Sequence, residues 1–199
     1  MPTNSPALKT FNEVKNNTFI FEKKNALSKT QCEQMIQQFE SHKDDQYLGR
    51  IGQMATQDSS IKKSTDMVVS GKKHLKEIDS ALFNSIKTAL IEFRETYPFF
   101  KGPFKDMGYA IQRTEPGEHY HWHIDGGSHE FSQRQLVALW YLNDVKGPGG
   151  ETEFLFQNVK IKPEQGKLIL FPPFWTHEHR GVTLKKGVKY IATTWVVFR

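Results

Sequence analysis

Cysteine is all but missing from this 199-residue chain. The single Cys32 rules out an internal disulfide framework, so a packed core must hold the fold, and a reducing compartment suits it. Long apolar runs are missing too. No stretch approaches the roughly 18 residues that a bilayer span requires, and Met1–Ala26 has no continuous apolar core of the signal-peptide kind, so no membrane partner and a cytoplasmic location are expected. Dense basic tracts with interleaved aromatics are also wanting. The 27 basic against 22 acidic side chains leave a net +5, but Lys62-Lys63, Lys72-Lys73 and Lys185-Lys186 are scattered, which reads as solvated surface rather than a nucleic-acid face. There is no internal repeat and no low-complexity tract.

What is present is ordinary for a globular protein: 37% hydrophobic, 25% charged and 13% aromatic residues. The length predicts a single domain over 1–199, in which polar residues 1–16 make a mobile start, 27–96 supply helical support and 107–198 form a β-rich core. A first strand is expected at Thr18–Glu22. Ser28 and Gln31 have the spacing of a capping box, and Cys32, Met35, Ile36 and Phe39 then recur at helical spacing to about Ser41, so Cys32 reads as a packing residue. Residues 42–60 read as a loop, with a short strand at Met67-Val68-Val69. Leu75, Ile78, Leu82, Ile86, Ala89, Leu90 and Phe93 step by threes and fours and predict a second, longer helix ending before Tyr97-Pro98. Beyond Phe104, candidate strands at 107–114, 119–125, 136–142, 151–157, 167–171 and 189–198, punctuated by Gly126-Gly127 and Gly147-Pro-Gly-Gly150, predict a sandwich or jelly roll.

Six of the eight histidines fall in or between two clusters, His119-Tyr-His121-Trp-His123-Ile-Asp125 and His177-Glu-His179. In an extended strand His119, His121, His123 and Asp125 share one face while Tyr120, Trp122 and Ile124 take the other, so imidazole and carboxylate ligands converge. Two histidines and one carboxylate with open positions form the ligand set of non-haem Fe(II) oxygenases. His123-x-Asp125 supplies two of them. The third must come from the second cluster, placed at the opening of the last strand, where His177 and His179 share a face and alternation does not separate them.

Glu115-Pro-Gly117, Tyr120-x-x-His123-x-Asp125, Arg134-x-Leu136, Tyr141-Leu-Asn143, Gly149-Gly-Glu-Thr152, Gly166-Lys-Leu-Ile-Leu-Phe-Pro172, His179, Gly187, Lys189-Tyr190 and Trp195 follow one another in a familiar order. Over roughly Met107–Phe198 the chain resembles the prolyl 4-hydroxylase-like branch of the 2-oxoglutarate- and Fe(II)-dependent oxygenases, and Ile61-Lys-Lys-Ser-Thr-Asp66 resembles that family's N-terminal portion. The resemblance implies a mainly β double-stranded β-helix with flanking helices. It also implies Fe(II), 2-oxoglutarate and O2, with ascorbate as an accessory reductant, and a peptide or protein substrate ahead of a small molecule. Position by position, it assigns Fe(II) to His123, Asp125 and His179. It assigns the distal carboxylate of 2-oxoglutarate to Tyr141 and Lys189, with Tyr120, Thr193 and Trp195 lining the pocket. His179 is preferred to His177 because the family's cation follows its distal histidine by about ten positions with a glycine two before it, as Gly187 and Lys189 do. His121 is expected at the barrel mouth, and His119 and His129 on the surface or a lid.

Other readings use the same residues. A zinc hydrolase could use His121, His123 and Asp125, although the residue after the aspartate is Gly126. A metal-binding cupin could take His119, His121 and Asp125 but leaves Lys189 and Tyr141 without a task. In a non-enzymatic jelly-roll module the histidines would be incidental. The nucleobase-demethylating branch commonly carries paired arginines on its last strands, where this chain has Lys189 and Arg180.

Overall fold

The computed structural model describes residues 11–52 and 54–199. β1 (Phe11–Glu13) and β2 (Phe21–Lys23) come first, then α1 (Lys29–Ser41), β3 (Gln46–Leu48), β4 (Lys62–Lys63), β5 (Thr65–Val68) and α2 (Lys76–Thr96). The β-rich part follows as β6 (Phe104–Asp106), β7 (Ala110–Thr114), β8 (His119–His123), β9 (Arg134–Tyr141) and β10 (Thr152–Phe154). It ends with β11 (Val159–Ile161), β12 (Leu168–Phe171), β13 (His179–Gly181) and β14 (Lys189–Phe198). Two antiparallel sheets result. The larger runs β1-β2-β12-β9-β14-β7-β5-β3 with β6 also on β14, and the smaller runs β11-β10-β13-β8-β4.

The expected fold class, mainly β with flanking helices, is the one observed. Strand periodicity explains how the layers form. On β9 and its continuation, Leu136, Ala138, Trp140 and Leu142 pack in the core that contains both helices. Val137, Leu139 and Tyr141 pack in a second core with Phe154 and Ile161 of the smaller sheet. β12 divides the same way, Leu168 and Leu170 against Ile169 and Phe171, so each central strand is buried on both faces. On β14, Ile191 belongs to the inter-sheet core and Ala192 to the helical one, which puts Lys189, Thr193 and Trp195 in phase with the barrel interior.

The helices cover the outer face of the larger sheet. Cys32, Met35 and Phe39 are the buried positions of α1, and burial pushes the Cys32 thiol up to about 11, leaving it protonated as a packing residue. Trp140 donates its indole N–H to Ser85 Oγ (2.9 Å), and Ser85 donates to Ala26 O (2.8 Å), tying β9, α2 and the entry to α1 together. At the start of α1 the Gln31 N–H donates to Ser28 Oγ (3.2 Å) while the Gln31 side chain accepts from the Ser28 N–H (2.8 Å). Ser28→Ala is expected to remove about 1 kcal/mol of stability. A thermal melt should show Tm lower by about 2–4 °C with metal binding unchanged.

Several boundaries differ from the sequence expectations. The mobile start predicted for 1–16 falls on described residues only from Phe11, where a strand forms and the Phe11 ring stacks on Phe21 (5.3 Å). The expected strand at Thr18–Glu22 begins at Phe21, because Asn17 and Phe19 adopt positive φ. Residues 42–60 are not wholly loop: Gln46–Leu48 pairs with β5. β11 and β13 were not expected as separate strands, each being only three residues long. Among the described residues no helix is long and apolar enough to cross a membrane.

Candidate active site

β8 and β13 build the metal-ligand cluster. His123 stands directly opposite His179, but Tyr120 stands opposite Gly181, so His121 and Trp122 together face Arg180 alone. This bulge breaks the strict alternation predicted for 119–125. Tyr120 and His123, three residues apart, come to one side and their rings stack at 3.6 Å. Trp122 turns out beneath the Arg180 guanidinium (4.6 Å from the ring centre), and His121 is exposed.

One ligand atom each from His123, Asp125 and His179 lies within 4.8 Å of the others, and this is the cluster among the described residues that could hold a metal ion. The histidine rings are oriented for it. His123 Nδ1 meets His121 O at 2.7 Å and His179 Nδ1 meets His177 O at 2.9 Å. Each Nδ1–H therefore donates to a main-chain carbonyl, which leaves each Nε2 with its lone pair free for a metal. His179 Nε2 lies 3.4 Å from Asp125 Oδ2. Burial, with His179 nearby, lowers His123 to about 3, so its imidazole is neutral at physiological pH, as a ligand must be. The donor set fits a hard-to-borderline divalent ion such as Fe(II).

His177 does not join the cluster. It sits in a one-turn 3-10 helix, Trp175–His177, rather than on a strand, and its Nε2 meets Thr18 O at 2.9 Å. The two histidines therefore do not share a strand face, and β13 is a separate strand of the smaller sheet rather than the opening of the last one. His121 lies outside the cluster as well, so the ligand sets of the hydrolase and cupin readings are not gathered.

The cluster opens into a cavity of about 200 Å³ between the sheets, whose apolar wall includes Leu139, Phe171 and Ile191. Tyr120, Lys189, Thr193 and Trp195 line it; Tyr141 does not. The Tyr141 side chain is fully buried, and its hydroxyl donates to Thr152 Oγ1 at 2.7 Å, so Thr152 is the residue of that pair at the cavity wall. Lys189 is buried with Nζ donating to Gly150 O (3.1 Å), and burial lowers its ammonium to about 8. Gly149 allows this approach. Its φ is +85°, and a Cβ there would lie 2.0 Å from Thr183 O, so a side chain would push the turn away from the chain beside it.

Two further cations went without a role in the sequence. Arg134 donates Nη1–H to Asp125 O (2.7 Å), and its guanidinium carbon lies over the Trp195 ring (3.7 Å from the centre) and over the Phe131 ring (4.0 Å). It thereby fixes the backbone of a candidate ligand, and the signal for it was a lone cation opening the apolar run of β9. Lys62 is buried against Asp66 (2.7 Å), which also accepts from Ser64 (2.7 Å). The Nε of Arg134 and the Nε1 of Trp195 are buried without an acceptor among the described residues, and both residues line the cavity. With Lys189 they make a donor-rich, largely apolar enclosure, which suits a small dianion such as 2-oxoglutarate.

Residues 109–197 match the sequence profile of the 2OG-Fe(II) oxygenase superfamily. Among curated relatives, a PKHD-type hydroxylase of Synechococcus sp. (strain CC9902) is 32% identical, with 43% of this chain matched to 39% of that protein. Transmembrane prolyl 4-hydroxylase of Mus musculus is 28% identical, with 43% of this chain matched to 28% of it. The chain thus spans well under half the length of these relatives. Among solved structures, a prolyl hydroxylase from Trichoplax adhaerens, in complex with a hypoxia inducible factor oxygen degradation domain peptide, superposes with a TM-score of 0.77 at 18% identity, covering 92% of this chain and 84% of that one. That likeness carries the double-stranded β-helix fold. Profile, relatives and fold together make this chain similar to the prolyl 4-hydroxylase-like 2OG-Fe(II) oxygenases, the profile over residues 109–197 and the solved structure in fold.

Proposed function

We propose that the protein is an Fe(II)- and 2-oxoglutarate-dependent dioxygenase that hydroxylates a C–H bond of a peptide or protein, proline being the residue its relatives point to. The observation that carries this reading is one cavity lined both by the His123, Asp125 and His179 cluster and by the buried Lys189. The likeness to the 2OG-Fe(II) oxygenases implies Fe(II), 2-oxoglutarate and O2. When bound, the iron supplies oxidative decarboxylation of 2-oxoglutarate to succinate and CO2, one oxygen atom of O2 entering succinate and the other the substrate's C–H bond.

The residues divide the remaining work. His123, Asp125 and His179 would hold Fe(II), and the main-chain carbonyls on both Nδ1 atoms leave each Nε2 free to serve as the ligand atom. Lys189 binds the far carboxylate, with Tyr141 acting through Thr152, whose own O–H is left free to donate because it accepts from Tyr141. Tyr120 covers one face of His123, Arg134 holds Asp125, and Leu139, Phe171 and Ile191 exclude water, which strengthens each polar contact inside. Thr193 and Trp195 complete the wall. The cytoplasm remains the proposed location, and ascorbate the proposed accessory reductant.

Purified protein supplied with Fe(II), O2 and 2-oxoglutarate should form succinate, and proline-containing peptides should raise the yield and gain one oxygen atom. Tight zinc binding without any 2-oxoglutarate binding would instead sink the oxygenase reading. The pH profile is a separate check. Lys189 carries its charge below about pH 8 in the free protein, so 2-oxoglutarate affinity should be level below that value. Above it, binding must take up a proton and affinity should fall by up to about tenfold per pH unit. Anaerobic titrations with Mn(II) from pH 7 to 10 would test this, and Lys189→Arg should flatten the curve.

A further inference from the structure

The outer side of α2 carries an apolar stripe that the described residues leave partly uncovered. Phe83, Leu90 and Ile91 lie at helical spacing, and the first and last of these are 47% and 56% exposed. With Phe104 they floor a groove of about 310 Å³ between α2 and β6. Single exposed apolar residues are commonplace, whereas here several apolar side chains line one groove. Its rim is cationic. Lys87, Arg94, Lys101 and Lys105 all line the groove and are exposed, and none of the four makes an ion pair among the described residues. The lone carboxylate of the lining, Asp106, already accepts from the Gly108 N–H (3.0 Å).

We propose that this groove docks an acidic amphipathic segment of a partner protein. Its apolar side chains would sit between α2 and β6, with its carboxylates on Lys87, Arg94, Lys101 and Lys105. Charge selects this occupant. A second copy meeting the same face would set eight cations against one another in a chain already at +5, which costs free energy at short range. A membrane surface matches the charge but not the shape, because a concavity of this size receives individual side chains and a headgroup layer presents none. Helix-in-groove recognition, in which an amphipathic helix lays its apolar face into a groove, is the mode this surface would use.

The test uses the full chain and a fluorescein-labelled synthetic helix with leucine on one face and glutamate on the other, read by anisotropy. Its lysine-for-glutamate counterpart and phosphatidylcholine vesicles containing phosphatidylserine serve as the other arms. The acidic helix should bind, and the basic one should not. The double variant Lys87→Glu with Arg94→Glu should weaken binding about tenfold or more, and so should Phe83→Ala with Ile91→Ala. Lys185→Glu with Lys186→Glu, an equal charge change on other exposed lysines, should leave it within about twofold. No binding of the acidic helix, equal loss in the Lys185/Lys186 variant, or binding to vesicles alone would overturn the proposal, the last in favour of an anionic lipid. All of the substituted side chains are exposed and lie outside the metal-ligand cluster and its cavity, so circular dichroism and succinate formation should match the unaltered chain.

Discussion

His179→Ala is expected to abolish tight metal binding, whereas His177→Ala should leave most of it intact. Both are buried histidines two residues apart, so sequence context alone barely separates them. Their hydrogen bonds do. His179 spends Nδ1 on a carbonyl and keeps Nε2 within 3.4 Å of Asp125, while His177 spends Nε2 on Thr18 O and approaches Thr176 Oγ1 with Nδ1 (2.9 Å). An imidazole engaged at both nitrogens has no lone pair to offer a metal. Loss of a hydrogen-bond partner of a ligand typically costs 10- to 100-fold in affinity, so loss of the ligand itself should cost about 100-fold or more, roughly 2.7 kcal/mol. His177→Ala keeps the main-chain carbonyl that orients His179. It strips a buried Thr18 carbonyl of its donor, which should appear as a stability loss of about 1–3 kcal/mol rather than as lost metal. Anaerobic calorimetric titration with Fe(II), beside thermal melts of both variants, separates the outcomes. A His177→Ala protein that melts normally yet binds no metal would move the ligand to His177.

That pair also shows what the sequence could and could not say. The layers of the barrel were legible because they depend on local alternation. Once β14 is a strand, Lys189, Thr193 and Trp195 must share a phase, and Cys32, Met35 and Phe39 must share a helix face. The capping box at Ser28 was legible for the same reason. Features that depend on a distant strand were not. The bulge that brings Tyr120 onto His123 arises from the register between β8 and β13, some sixty residues further along, and nothing local to 119–125 announces it. Three-residue strands such as β1, β11 and β13 are too short for periodicity to register and exist because neighbouring strands offer them partners. Tyr141 illustrates a different limit. Its residue type and phase were readable, but the direction of its hydroxyl is set by Thr152 on another sheet.

Lys189→Met is expected to weaken 2-oxoglutarate binding by about 2–5 kcal/mol, roughly 30-fold to several thousandfold, while leaving metal binding in place. Those figures follow from the position of the lysine. Its ammonium is buried, its direct partner is a neutral carbonyl, and burial has already lowered it to about 8, so in the free protein the charge sits there at a cost. A dianion entering the cavity relieves that cost and recovers charge-assisted hydrogen bonds in a setting where water screens little. Two measurements on one variant then move in opposite directions. Removing a buried unpaired charge in favour of an apolar chain of similar length should leave the thermal stability of the ligand-free protein unchanged or raised, yet cosubstrate affinity should collapse. A lysine that merely packed a strand would give the reverse: lower stability and unaltered affinity. Tyr141→Phe should show the smaller loss of one relayed hydrogen bond, about 1–2 kcal/mol, because Thr152 stays at the wall but loses the donor that turns its hydroxyl inward. If titration finds 2-oxoglutarate affinity unchanged in both variants while turnover persists, the carboxylate binds elsewhere. Arg134, whose Nε lacks an acceptor among the described residues at the same cavity, is then the cation to substitute next.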